Sequence, residues 1–76
     1  MAGVMRKPRL TSIRLIHKAG APVATMLLDR PDRLNALSRV LLGEVVEACR
    51  WLDATTEVKA AVVRGAGRAF SAGFDL

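Results

Sequence analysis

Two hydrophobic rhythms run along this chain, one of strands and one of a helix. Leu10–Ile16 (L-T-S-I-R-L-I) places β-forming residues in partial alternation, which predicts a first strand. Ala19-Gly20-Ala21-Pro22 is turn chemistry, and Val23–Leu28 (V-A-T-M-L-L) predicts a second strand, apolar at nearly every position. The short Gly- and Pro-containing link between them predicts a β-hairpin. So continuous an apolar run also predicts that the second strand is covered on both faces. Asp29-Arg30-Pro31-Asp32-Arg33 breaks the strand, with Pro31 biasing Arg30 away from helix. Asp29 and Asn35 are expected to shape this turn through side-chain to backbone hydrogen bonds.

Ser38 is a credible N-cap for a helix from about Arg39 to Asp53. At about 100° per residue, Leu41, Leu42, Val45, Val46, Ala48, Cys49 and Leu52 share one apolar arc. Gly43, Glu44, Glu47 and Arg50 lie opposite, and Val40 and Trp51 fall on the polar side. Thr55 and Thr56 end the helix. Ala60–Val63, flanked by Val58 and Arg64, predicts a third strand of the buried type. Strand, helix and strand from Val23 to Arg64 make a βαβ crossover, right-handed by the general rule. Gly65–Ala69 is a loop, and residues 70–76 read as a turn into a further helix. The expected fold class is therefore α/β: an N-terminal β-hairpin followed by a βαβ crossover unit, the chain ending at the start of the next helix. One crossover helix covers one sheet face only, so the pattern reads as the front of a larger α/β domain.

Composition narrows the class. Seventy-six residues allow one small domain, and 51% apolar residues exclude compositional disorder. No apolar run approaches the roughly 20 residues of a membrane span. A single cysteine excludes an internal disulfide framework and a cysteine-rich zinc site, and no metal is expected. The net charge of +5 resides wholly in Met1–Lys18, which carries Arg6, Lys7, Arg9, Arg14 and Lys18 and no acid. Residues 1–9 are read as a basic flexible arm and residues 10–76 as the domain. The arm leaves open, as an alternative, a non-catalytic interaction module that binds an acidic partner or nucleic acid through it. The arm has no interleaved aromatics and the rest of the chain is neutral, so no nucleic-acid partner is the first expectation, and without a long apolar run no membrane partner is expected. No apolar segment suited to secretion is present, so a cytoplasmic setting is the expectation.

Candidate chemistry lies on both sides of the helix. Gly65-x-Gly67-x-x-Phe70 has two glycines of a dinucleotide fingerprint without the third, which keeps a small nucleotide-binding domain open as an alternative. Read to its end, Val62–Leu76 (V-V-R-G-A-G-R-A-F-S-A-G-F-D-L) closely resembles the first active-site segment of the crotonase superfamily, the enoyl-CoA hydratases and isomerases. Leu28–Ser38 (L-D-R-P-D-R-L-N-A-L-S) resembles that family's strand–loop signature L-N-R-P-x-x-x-N-A-L-S. The resemblance covers roughly Arg14–Leu76 and implies a partial crotonase-like domain.

What the resemblance implies can be placed residue by residue. The backbone N–H of Phe74, after Ala72-Gly73, would form half of an oxyanion hole for the carbonyl of an acyl-CoA thioester. Ala72 would hydrogen-bond the adenine through its backbone, and Ser71 and Gly73 lie beside it on the CoA moiety. Asp32, Arg33 and Leu34 would follow the CoA nucleotide, with Arg33 placed to meet a phosphate. Gly73 permits close backbone approach, and a helix N-terminus favours a developing enolate. CoA belongs to the substrate, so no separate cofactor is implied. A homo-oligomeric parent (trimer or hexamer) in fatty acid metabolism is implied. The second oxyanion donor and the hydratase glutamates would lie beyond these segments, so the chain is not expected to act alone.

Other residues have plainer expectations. Phe70 is expected in the core, and Phe74 either lines an acyl pocket or packs. Arg30 is expected to pair with a local carboxylate. Glu44 and Glu47 are expected on a solvated helix surface. Cys49 is expected to pack as a small hydrophobe, and His17 shows no carboxylate partner.

Overall fold

The computed structural model describes residues 6–73. Strand β1 (Ile13–Ile16), strand β2 (Val23–Leu28), a 3-10 turn (Pro31–Arg33), helix α1 (Arg39–Ala54) and strand β3 (Ala60–Gly65) follow in order. They build a three-stranded sheet in the order β1-β2-β3. β1 runs antiparallel to β2, and β2 runs parallel to β3. The hairpin and the crossover unit are thus both present. β1 starts later than expected, because the N–H groups of Thr11 and Ser12 turn to the Glu44 carboxylate.

The core lies between one sheet face and α1. Registers Ile13↔Leu28 and Leu15↔Met26 bring four buried side chains together under Leu41, Ala48 and Trp51. Along β2, buried Ala24, Met26 and Leu28 alternate with exposed Val23 and half-buried Thr25 and Leu27. This corrects the expectation of cover on both faces: among the described residues, one helix covers one face.

Ser38 caps α1 as its sequence predicts, its hydroxyl oxygen accepting from the Leu41 amide at 3.1 Å. At the other end the Thr55 hydroxyl donates to the Trp51 carbonyl at 2.6 Å. The buried face, however, is not the centre of the apolar arc. Leu41, Ala48 and Trp51 are buried, whereas Leu42 (38% exposed), Val46 (50%) and Cys49 face outward. The helix is rolled toward the side where Trp51 and Glu44 sit. Burying an indole removes more apolar surface than burying a valine and a cysteine. The roll sets α1 over β1 and leaves β3 exposed from Ala60 to Arg64, correcting the buried-type reading of that strand.

Glu44 is not a solvated surface residue. Its carboxylate accepts the Thr11, Ser12 and Ile13 amides at 2.8–3.1 Å and the Thr11 hydroxyl at 2.8 Å. Partial burial raises its pKa, and these four groups together outweigh that, leaving it below the ordinary value of 4.5. A lowered carboxyl pKa stabilises the fold above the unfolded value, and that stabilisation is lost as pH falls through the folded one. Glu44→Gln is expected to cost about 1–2 kcal/mol at neutral pH, after discounting for solvent screening. Chemical unfolding of both proteins from pH 7 to pH 3 checks this. The gap between them should narrow below pH 4.5. A gap constant with pH would contradict the assignment.

His17 also departs from expectation. Its Nε2 lies 2.9 Å from the Ala21 carbonyl and 3.7 Å from the Glu57 carboxylate, with the ring edge-on to Trp51. The contacts with Glu57 and Trp51 are tertiary, so local sequence does not show them.

Candidate functional site

β2 and β3 form the parallel pair, and their carboxyl ends lie side by side. Leu28 is in register with Gly65, and the Ala66 amide donates to the Leu28 carbonyl at 2.8 Å. Residues 29–38 leave one strand and residues 66–73 leave the other. In open α/β sheets, ligands bind in the crevice at this end of the strands.

One side chain ties the two loops together. Asn35 is fully buried. Its Oδ1 accepts the Arg30 amide, and its Nδ2 donates to the carbonyls of Ala66 and Ala69, each at 2.8 Å. The expected turn-shaping bond is the first of these; the other two reach across the fold. Leu34 and Asn35 both have positive φ, 51° and 54°. That region suits asparagine and strains leucine. The reversal is held by the opposite loop. The Leu34 carbonyl accepts the Ala72 amide at 2.9 Å, and the Asn35 carbonyl accepts the Ser71 hydroxyl at 2.9 Å. The Leu37 amide donates to the Gly73 carbonyl at 2.7 Å. The Ser71 hydroxyl oxygen also accepts the Gly73 amide at 3.1 Å.

Leu34, Ala72 and Gly73 are therefore brought together by backbone pairing, and Ser71 joins them through its hydroxyl. Asp32 and Arg33 stand exposed on the adjoining 3-10 turn. Phe74 lies outside the described residues. The Arg30 guanidinium donates to the Ala36 carbonyl at 3.0 Å and so braces the same turn. Gly73 has φ +90°, and a Cβ there would meet nothing within 4 Å, so its requirement is dihedral.

Two residues of this region escape sequence reasoning. The long reach of Asn35 is one. Arg68 is the other: a Cβ on Gly67 would stand 2.9 Å from the Pro31 Cβ, so the loop bearing Arg68 rests on the turn bearing Arg33. Both arginines are exposed, and Asp32 beside Arg33 is exposed as well. Phe70 is 58% exposed, which corrects its expected place in the core. Its loop is held instead by the Asn35 side chain, whose Nδ2 donates to the Ala66 and Ala69 carbonyls. After β3 the chain continues as loop to Gly73, without the immediate helix that a dinucleotide fingerprint requires. Among the described residues no three acidic, His or Cys side chains group as a metal site, and no helix is long and apolar enough to cross a membrane.

A family model described as enoyl-CoA hydratase/isomerase matches residues 18–76. The chain is 48% identical over 54 residues to 4-chlorobenzoyl coenzyme A dehalogenase-2 of Arthrobacter, covering 71% of this chain and 20% of that protein. It is 39% identical over 61 residues to the mitochondrial Delta(3,5)-Delta(2,4)-dienoyl-CoA isomerase of Homo sapiens, covering 80% and 19%. An enoyl-CoA hydratase/isomerase structure from Xanthobacter autotrophicus Py2 superposes with a TM-score of 0.80 at 43% identity, over 88% of this chain and 24% of that one. The chain spans about a fifth of the length of these curated relatives.

Proposed function

The chain belongs to the enoyl-CoA hydratase/isomerase family and carries part of the crotonase-like fold, and from that premise we propose that its two joined loops bind the CoA end of an acyl-CoA thioester. The observation that carries this reading is the pairing of Leu34 with Ala72 and of Leu37 with Gly73, which makes one surface from the two motif segments. Asp32, Arg33 and Leu34 flank the nucleotide, with Arg33 and its neighbour Arg68 meeting phosphate. The Ala72 amide is engaged by Leu34, so its carbonyl is the group left for an adenine amino donor. The Gly73 amide is engaged by Ser71. The Phe74 amide is then the oxyanion donor in this proposal, and a thioester enolate is the species it stabilises.

The two curated relatives named above differ in reaction but share coenzyme A in their names. The proposal therefore stops at thioester binding and does not choose among hydration, double-bond shift, hydrolysis, dehalogenation and decarboxylation. One oxyanion donor is worth about 2.7–4 kcal/mol. Enzymes reach about 10⁶-fold or more. The remaining catalytic groups must come from other segments, and the chain alone is proposed to bind rather than turn over. Homo-oligomeric assembly and a cytoplasmic setting belong to the same proposal, as does the division into a basic arm and a domain.

Calorimetric titration with CoA and with NAD tests the reading. Saturable CoA binding is expected, weakened about three- to tenfold by Arg33→Glu through loss of a charge-assisted phosphate contact. NAD bound as tightly as CoA would favour the nucleotide-binding alternative. Salt-sensitive DNA binding that disappears on deleting residues 1–9 would favour the interaction module.

A further inference from the structure

We propose that Ser71 is a positioning residue, whose hydroxyl fixes the Gly73 peptide and does not itself touch a ligand. A serine hydroxyl has one proton to donate and can accept through its oxygen. Here the proton goes to the Asn35 carbonyl at 2.9 Å, and the oxygen receives the Gly73 amide at 3.1 Å. Both bonds lie inside the loop pair. Gly73 is held from its other side as well, where the Leu37 amide donates to its carbonyl at 2.7 Å. Its N–H and its C=O are thus both anchored, while its φ of +90° is one that few residues adopt.

The anchor joins the two loops at their most constrained points. Asn35 is the buried residue that fastens the first loop to Ala66 and Ala69. The Ser71 hydroxyl, bonded to the Asn35 carbonyl, passes that fixed position to Gly73. A backbone that presents its own polar groups to a ligand must be set before the ligand arrives, within about 0.5 Å. Ser71 supplies that preorganisation. This inference rests on the acyl-CoA reading for its functional consequence, but the positioning itself can be measured without any ligand.

The test compares the full chain with Ser71→Ala and Ser71→Thr. The first readout is amide hydrogen exchange at Gly73 beside the amides of β2. Ser71→Ala is expected to speed exchange at Gly73 about tenfold, the loss of one ordinary hydrogen bond, with β2 unchanged. Ser71→Thr keeps the hydroxyl and is expected to restore the slow rate. The second readout is CoA affinity, expected to fall by a similar factor in Ser71→Ala and to recover in Ser71→Thr. Unchanged Gly73 exchange in Ser71→Ala overturns the proposal. So does weaker CoA binding without a change at Gly73, which would make Ser71 a direct contact. Faster Gly73 exchange with CoA affinity intact supports the positioning and overturns its consequence for CoA binding. If the wild-type chain binds no CoA, the acyl-CoA reading fails, while the exchange rates still decide whether Ser71 holds Gly73.

Discussion

Replacing Asn35 with alanine is expected to lower the unfolding free energy by about 2–4 kcal/mol. The side chain satisfies one amide and two carbonyls, those of Arg30, Ala66 and Ala69. Each buried group left unpaired costs about 1–3 kcal/mol, and partial access to water softens the sum. A 76-residue domain holds roughly 0.05–0.15 kcal/mol per residue in all, so the loss is a large share of the total. Two further variants separate the causes. Asn35→Gly accepts the positive φ but has no side chain, so it should fall short of alanine's damage by about 1 kcal/mol and no more. Asn35→Asp retains the acceptor for Arg30 but aims a carboxylate at two carbonyls, which raises its folded pKa. Its stability should therefore improve as pH falls and the carboxyl gains a proton to donate, the opposite of the acid response expected from Glu44. Urea unfolding read by Trp51 fluorescence measures all three. Wild-type stability in Asn35→Ala would remove Asn35 from the centre of the site.

Gly65→Ala is expected to cost about 3 kcal/mol, by a different mechanism. A Cβ at this position would lie 2.5 Å from the Phe70 carbonyl oxygen and 2.6 Å from the Ala69 carbonyl oxygen and the Phe70 Cα. All three are backbone atoms, so no rotamer change can relieve the overlap. Residues 66–70 must move, and that movement draws the Ala69 carbonyl off Asn35. Slower or weaker CoA binding should accompany the loss of stability, because both motif loops depend on this junction. Gly43→Ala is the control. Nothing stands within 4 Å of a Cβ there, and the position is inside α1. That change should stabilise the chain by up to about 1 kcal/mol. Equal effects at the two glycines would mean that helix propensity and chain entropy, not contact, govern both.

Much of the fold was legible because its causes are local. Turn chemistry at Gly20 and Pro22 separates β1 from β2, and Pro31 ends β2. Ser38 starts α1 and Thr55 closes it through bonds to residues three and four away. The two motifs on either side of that helix were also legible, and both lie within the family match over residues 18–76. The end of the chain stayed outside this comparison, since Phe74 is not among the described residues.

The amino-acid order alone determined the strand and helix segments, the crossover between them and the family to which they belong. Those follow from backbone preferences and side-chain period, which act over a few residues. Only the tertiary structure decided which face of α1 turns inward, because Trp51 and Glu44 outcompete Leu42, Val46 and Cys49 once β1 lies beneath them. Likewise only the assembled fold made Asn35 a clip and left β3 and Phe70 in the open. A periodic pattern records that a residue is apolar or polar, but a hydrogen bond or a buried ring is won by whichever distant group arrives opposite it.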